Sequence, residues 1–248
     1  MIDIHAHILP GVDDGAKDYE TAILMAQMAQ ESGVTDIIAT PHANQRSRYE
    51  NYVSEDLDER LLILQTAVQH AKLPIRIHPG MEVFGTPNLP SLLRAGKVRT
   101  LAGSRYLLVE FAFREDPYFM ERTFEKLREE GVDPIVAHPE RYIVLQDMPD
   151  ILFAWAQSGI HMQVNKGSLS GAFGRGAKKT ANLMLMHDLA DVIASDAHGT
   201  ERRTTDLSRI QDYISLQFSH RMAERLLEEN PARILRDEPL VPGKREMM

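Results

Sequence analysis

Short apolar runs alternate with longer amphipathic stretches almost from end to end of this chain. The runs are Ile2 to Ile4, Asp36 to Ala39, Ile75 to Ile77, Tyr106 to Phe111, Pro134 to Ala137, Met162 to Val164 and Val192 to Ala194. They are mostly continuous in apolar character, which predicts strands of a parallel sheet buried on both faces. Between them the pattern predicts helices over Thr21 to Ser32, Glu55 to Ala71, Pro117 to Glu130, Asp150 to Gln157, Ala177 to His187 and Leu207 to Glu229. The second helix shows its apolar face in Leu57, Leu61, Leu64 and Val68. Ser54 precedes its acidic first turn, which suits the positive end of the helix dipole. Seven strands alternating with helices make an α/β chain with crossover connections. The pattern alone fits either a closed barrel or an open sheet. No repeat or linker interrupts it, so residues 1–248 read as one domain, with a flexible tail expected from about residue 239.

Composition narrows the picture. The chain has 248 residues, 43% of them hydrophobic and 26% charged, enough to bury a large core. It has no cysteine, which excludes a disulfide framework, a thiolate zinc site and a cysteine nucleophile. The net charge is −8, from 28 basic and 36 acidic residues, which disfavours non-specific nucleic-acid binding. No apolar run has the length of a signal peptide or a membrane span, so a cytoplasmic protein without direct membrane insertion is expected.

The chemistry-bearing residues are not scattered. His5, His7, His42, His138 and His198 stand at or just past the C-terminal ends of expected strands. Asp13 and Asp14 follow the first strand, Glu82 the third and Asp196 the seventh, while Glu110 lies in the fourth. That edge is where α/β barrels and open sheets build their sites. His5-Ala6-His7 places two imidazoles on one face of a strand, roughly 6.5 Å apart along the backbone, close enough to converge on one cation. Asp196-Ala197-His198 repeats the geometry with one carboxylate. Asp13 and Asp14 compete for one role, one binding metal and the other capping the turn at Gly15. Glu110, among Leu108, Val109 and Phe111, needs a cation or hydrogen-bond partner if buried. His78 and His161 read as structural, and His70, His187 and His220 as helix-surface or packing residues. Asn165 and Lys166 are placed to line the mouth of a pocket. Arg141 and the pair Arg202-Arg203 lie beside ligand-type residues and offer planar forks for phosphate oxygens.

Ile2-Asp3-Ile4-His5-Ala6-His7 with Asp13-Asp14-Gly15, Thr40-Pro41-His42, Pro79-Gly80-Met81-Glu82, Val109-Glu110-Phe111, Ala137-His138-Pro139-Glu140-Arg141-Tyr142 and Ala194-Ser195-Asp196-Ala197-His198 form an ordered set. It resembles the PHP (polymerase and histidinol phosphatase) superfamily and, within it, the bacterial protein-tyrosine phosphatases of the CpsB/YwqE type. The resemblance spans roughly Met1 to Arg236 and includes Gly167-Ser168-Leu169 and Phe173-Gly174. It implies a distorted (β/α)7 TIM-like barrel holding three metal ions, manganese by usual assignment, with iron or zinc as alternatives. Residue by residue, it implies His5, His7, Asp14, His42, Glu82, Glu110, His138, Asp196 and His198 as ligands. Arg141 and Arg203 would bind phosphate, with Arg202 as the rival to Arg203. The implied reaction is phosphotyrosine hydrolysis by a metal-activated hydroxide. The implied partner is a tyrosine kinase controlling capsule or exopolysaccharide synthesis. A small-molecule phosphatase, such as one for histidinol phosphate, and a nucleic-acid-processing module are the alternatives; the charge speaks against the latter.

Overall fold

The computed structural model describes residues 1–245. Nine parallel strands run in chain order: β1 (Ile2–Ala6), β2 (Asp36–Ala39), β3 (His42–Ala43), β4 (Arg76–Pro79), β5 (Glu82–Phe84), β6 (Tyr106–Glu110), β7 (Asp133–Ala137), β8 (His161–Asn165) and β9 (Val192–Ala194). β3 continues β2 after Thr40-Pro41, and β5 continues β4 after Gly80-Met81, so the nine segments are the seven expected strands with two interruptions. β1 pairs with β2 and β2 with β4. The second sheet runs β3-β5-β6-β7-β8-β9, every neighbour parallel.

The two ends of the chain meet. Ala6 bridges Ala197 in parallel, His7 N–H donates to Ala197 O at 2.8 Å, and Asp196 N–H donates to His5 O at 2.8 Å. Deeper in the seam, Asp3 Oδ1 accepts from Ser195 N–H at 3.0 Å. These contacts join first strand to last and make the array a seven-stranded α/β barrel.

Alternation along the strands shows the two buried faces. Tyr106, Leu108, Ile135, Ala137, Val192 and Ala194 join one apolar cluster with Ile4, Ile38, Ile234 and Leu240. Their sequence neighbours Leu107, Val109, Val136 and Ile193 join the larger cluster between strands and helices, with Met25, Leu64, Phe124 and Trp155.

Most helices fall where the pattern placed them, including Tyr19–Glu31, Glu55–His70, Pro117–Glu129 and Asp150–Gln157. Ser54 caps as expected, its side chain accepting from Leu57 N–H. The expected helix Leu207 to Glu229 is instead broken. Ser208–Gln217 ends at Phe218, whose φ/ψ of −123°/−82° leaves the helical region, and Ser219 caps a new helix, His220–Glu224. The tail, expected to be flexible from about residue 239, makes defined contacts as far as Arg245. Leu240 is buried in the inner cluster, Val241 N–H donates to Asn230 Oδ1 at 2.8 Å, and Lys244 N–H donates to Asp188 Oδ2 at 2.7 Å. The last part of that expectation, residues 246–248, lies outside the described residues. No described helix is long and apolar enough to cross a membrane.

Candidate metal and phosphate site

The structure brings all nine sequence-derived candidate ligands together at the C-terminal end of the barrel. Donor atoms of His7, Asp14, His42 and His198 lie within 4.8 Å of one another, as do those of His5, His7 and Asp196, and those of His42, Glu82 and Glu110. His138 joins through Nε2, 3.0 Å from Glu82 Oε1 and 3.7 Å from Glu110 Oε1. Two of these positions have left-handed backbone, His138 at φ 37° and Asp196 at φ 49°. Residues other than glycine, asparagine and aspartate seldom adopt it, and such strain is concentrated where function requires a side chain to be aimed.

The surrounding hydrogen bonds fix how the imidazoles face. His5 Nδ1 lies 2.9 Å from Gln163 Oε1, and Gln163 Nε2 donates to Asn165 Oδ1 at 2.8 Å, which sets the amide. His7 Nδ1 lies 2.7 Å from Asp13 Oδ2. His198 Nδ1 lies 3.1 Å from Asp196 O. Each Nδ1 meets an acceptor, so in the neutral imidazole Nδ1 carries the proton and Nε2 is left as the lone pair. Those Nε2 atoms turn toward the cluster: His5 Nε2 and His7 Nε2 are only 3.2 Å apart. His198 Nε2 is buried without a hydrogen-bond partner among the described residues, and Glu82 Oε2 faces imidazole nitrogens, His42 Nδ1 at 2.9 Å and His7 Nε2 at 3.3 Å. Lone pairs converging on each other, with carboxylates between them, fit divalent cations. Nitrogen and oxygen donors without thiolate suit manganese, iron or zinc.

Geometry sets the two aspartates apart. Asp13 accepts from Gly15 N–H at 2.9 Å and from His42 N–H at 2.9 Å while holding His7. Asp14 Oδ1 instead lies 3.5 Å from both His42 Nε2 and His198 Nε2. Gly15 permits the close turn, since a Cβ there would stand 2.0 Å from His7 O.

Charge is dense. Burial pushes Asp196 up, but His5, His7 and Arg203 outweigh it and hold its carboxyl well below the usual range. Burial raises Glu110, reinforced by repulsion from Glu82 and Asp196. His138 is pushed down to about 4, chiefly by burial.

Both expected arginines reach the rim. Arg141 lies 3.3 Å from Asp196 Oδ2; Arg203 Nη2 lies 2.5 Å from Asp196 Oδ1, and its Nε donates to Asp196 O. Arg202 is exposed and makes no such contact among the described residues. Aromatic rings hold the forks. The Arg141 guanidinium lies over Phe113 at 4.7 Å and over Phe173 at 4.2 Å, and Arg203 lies over the same Phe173 at 5.6 Å. Phe173 fits because Gly167 is opposite: a Cβ there would meet its ring at 2.6 Å.

The sequence reading missed this supporting layer. Gln163 reads as an ordinary strand residue, yet it connects His5 to Asn165, whose Nδ2 donates to Asp196 Oδ2 at 2.5 Å. Tyr49 stacks on His42 with centroids 5.5 Å apart, and Gln45 donates to Glu110 at 2.8 Å. Period-two alternation was the one available signal for Gln163 and Asn165, which share a strand face. His78 is structural as expected, 2.7 Å from Asp36, and His161 packs edge-on against Tyr106, outside the cluster. Lys166 is turned to Asp206 O and Thr204.

Comparison with known proteins gives a consistent picture. The model of the family described as "Capsular polysaccharide synthesis, CpsB/CapC" matches residues 1–236. The chain is 37% identical to CapC of Staphylococcus aureus, over 85% of this chain and 82% of that protein. It is 31% identical to tyrosine-protein phosphatase YwqE of Bacillus subtilis, over 97% of this chain and 93% of that protein. A crystal structure from the study of YwqE from Bacillus subtilis and CpsB from Streptococcus pneumoniae, described there as unique metal-dependent tyrosine phosphatases, superposes with a TM-score of 0.93. Its identity is 31%, and the match covers 100% of this chain and 99% of that one.

Proposed function

Because the chain belongs to the CpsB/CapC family, we propose that it is a metal-dependent protein-tyrosine phosphatase. The observation that carries this reading is the set of imidazole lone pairs and carboxylates facing one another beneath two arginine forks. His5, His7, Asp14, His42, Glu82, Glu110, His138, Asp196 and His198 would hold the metal. Three ions are assigned on the support of three donor groups, and manganese on the hard oxygen and imidazole donors. When bound, divalent ions supply an acidified water as nucleophile and positive charge for phosphate oxygens.

The chain's own groups do the rest. Gln163, Asp13 and the Asp196 carbonyl hold each Nδ1 protonated and keep Nε2 available. Arg141 and Arg203 bind phosphate oxygens through bidentate bonds and neutralise charge that grows toward the transition state. Phe113 and Phe173 keep those forks in place. No thiolate takes part, since the chain has no cysteine. Phenolate is the leaving group, with an ordinary pKa of about 10. We assign the substrate to a phosphotyrosine-bearing protein, a tyrosine kinase governing capsule or exopolysaccharide synthesis, met in the cytoplasm; the family's description supports the link to capsule synthesis, and the relatives' names the phosphotyrosine.

The test pairs metal analysis with substrate choice. The purified protein is expected to contain more than one equivalent of metal, to release phosphate from a phosphotyrosine peptide, to lose that activity to a chelator and to regain it with manganese. Faster turnover of histidinol phosphate than of any phosphotyrosine peptide would refute the substrate class.

A further inference from the structure

A groove of about 560 Å³ opens beside the site and shares Phe173 and Arg203 with it, but contains none of the nine candidate ligands. That is the size of a pocket that takes a ligand rather than a few waters. Its charge runs against the molecule's. Lys166, Arg202, Arg203 and Arg209 face it against Glu201 and Asp206, four cations to two carboxylates, on a chain of net charge −8. Two of the cations are uncommitted. Lys166 is turned to Asp206 O and Thr204, and Arg203 to Asp196. Arg202 and Arg209 are exposed and form no ion pair among the described residues. Ile210 and Tyr213 give the groove an apolar wall.

We propose that this groove is a substrate subsite for acidic residues flanking the phosphotyrosine, with Arg202 and Arg209 as the side chains that select them. The inference rests on the phosphatase reading above. Continuity through Phe173 and Arg203 means that a peptide whose phosphate reaches the arginine forks continues into the groove. There two unpaired guanidiniums meet its carboxylates in a partly enclosed setting, where charge complementarity discriminates between partners.

The test uses the metal-loaded full chain and two phosphotyrosine peptides, one with Asp and Glu on both sides of the phosphotyrosine, the other with Asn and Gln in their place. The acidic peptide is expected to have kcat/KM roughly three- to tenfold higher, most of it in KM, and the advantage is expected to shrink at high ionic strength. Arg209→Glu, which places an acid in the first turn of its helix where the dipole favours one, is expected to fold normally. It is expected to abolish or reverse the preference while turnover of p-nitrophenyl phosphate stays at the wild-type rate; Arg202→Glu is expected to act in the same direction. Equal kcat/KM for the two peptides in an enzyme that hydrolyses both would overturn the groove assignment and leave the phosphatase reading standing. An acidic preference that survives both reversals would equally overturn it. Hydrolysis of neither peptide would overturn both.

Discussion

At the scale of single residues, the two arginines depend on a ring that is not itself reactive. Phe173 underlies both guanidiniums, and Gly167 gives that ring its space. A cation–π contact is worth about 0.5–2 kcal/mol, which as lost transition-state stabilisation is roughly two- to thirtyfold in rate. Phe173→Leu is therefore expected to lower kcat on a phosphotyrosine peptide by that factor with metal content unchanged, and Phe173→Tyr to restore it. Gly167→Ala is expected to act like the leucine variant, by displacing the ring. Steady-state kinetics beside elemental analysis checks all three; unchanged kcat in Phe173→Leu would assign the rings to packing alone. The candidate ligands themselves were legible because imidazoles and carboxylates stand at strand ends in an ordered set. Phe173 was visible only as part of a resemblance, and Gln163 only through its period-two alternation with Asn165. Their contribution lies in whom they touch across the fold, which no local spacing encodes. The left-handed backbone at His138 and Asp196 was likewise invisible, since residue type alone does not mark which position adopts it.

At the scale of elements, the strands were readable because both their faces are buried, so apolar runs mark them directly. The Leu207 to Glu229 stretch was misread because its apolar spacing continues across Phe218. The break is made by backbone conformation at Phe218 and by the Ser219 cap, which accepts from Met222 N–H. The docked tail was hidden by its prolines and polar residues, where buried Leu240 and the backbone N–H groups of Val241 and Lys244 make the contact. The opposite end of the barrel from the site has its own polar fixture. Asp36, on β2, accepts from Arg76 at 2.7 and 2.9 Å and lies 2.7 Å from His78 Nε2. Burial raises its pKa, but Arg76, His78 and Thr35 outweigh burial and hold the carboxyl down to about 2. A folded-state pKa below the unfolded value gives stability that is present above about pH 4 and lost as pH falls toward 2. Arg76 is exposed, so the screened contribution is about 1 kcal/mol. Asp36→Asn is expected to lower unfolding stability by that amount at pH 7, with the gap to wild type closing below pH 3. Denaturant titrations at several pH values measure it, and a gap independent of pH would show that the ion pairs contribute nothing.

At the scale of the whole molecule, we propose that residues 1–245 unfold as one domain, with β1, β9 and the docked tail as a common seam. Metal bound to the native cluster stabilises it by mass action, because the unfolded chain does not assemble the ligands. Chelation is expected to lower Tm by on the order of 5–10 °C. It is also expected to speed hydrogen exchange most at Ile4 to His7 and Ala194 to His198. A uniform rise in exchange across all seven strands would argue that the cluster does not hold the seam. The seam also has a consequence for how the protein comes into being. His5 and His7 leave the ribosome long before Asp196 and His198, yet they bond to one another directly, as Asp196 N–H does to His5 O. Until β9 emerges the early histidines lack those partners, so a product truncated before β9 does not carry the complete cluster. Competence for the proposed hydrolysis therefore waits for β9 and arises as a unit, which keeps chains shorter than that from acting on phosphoproteins.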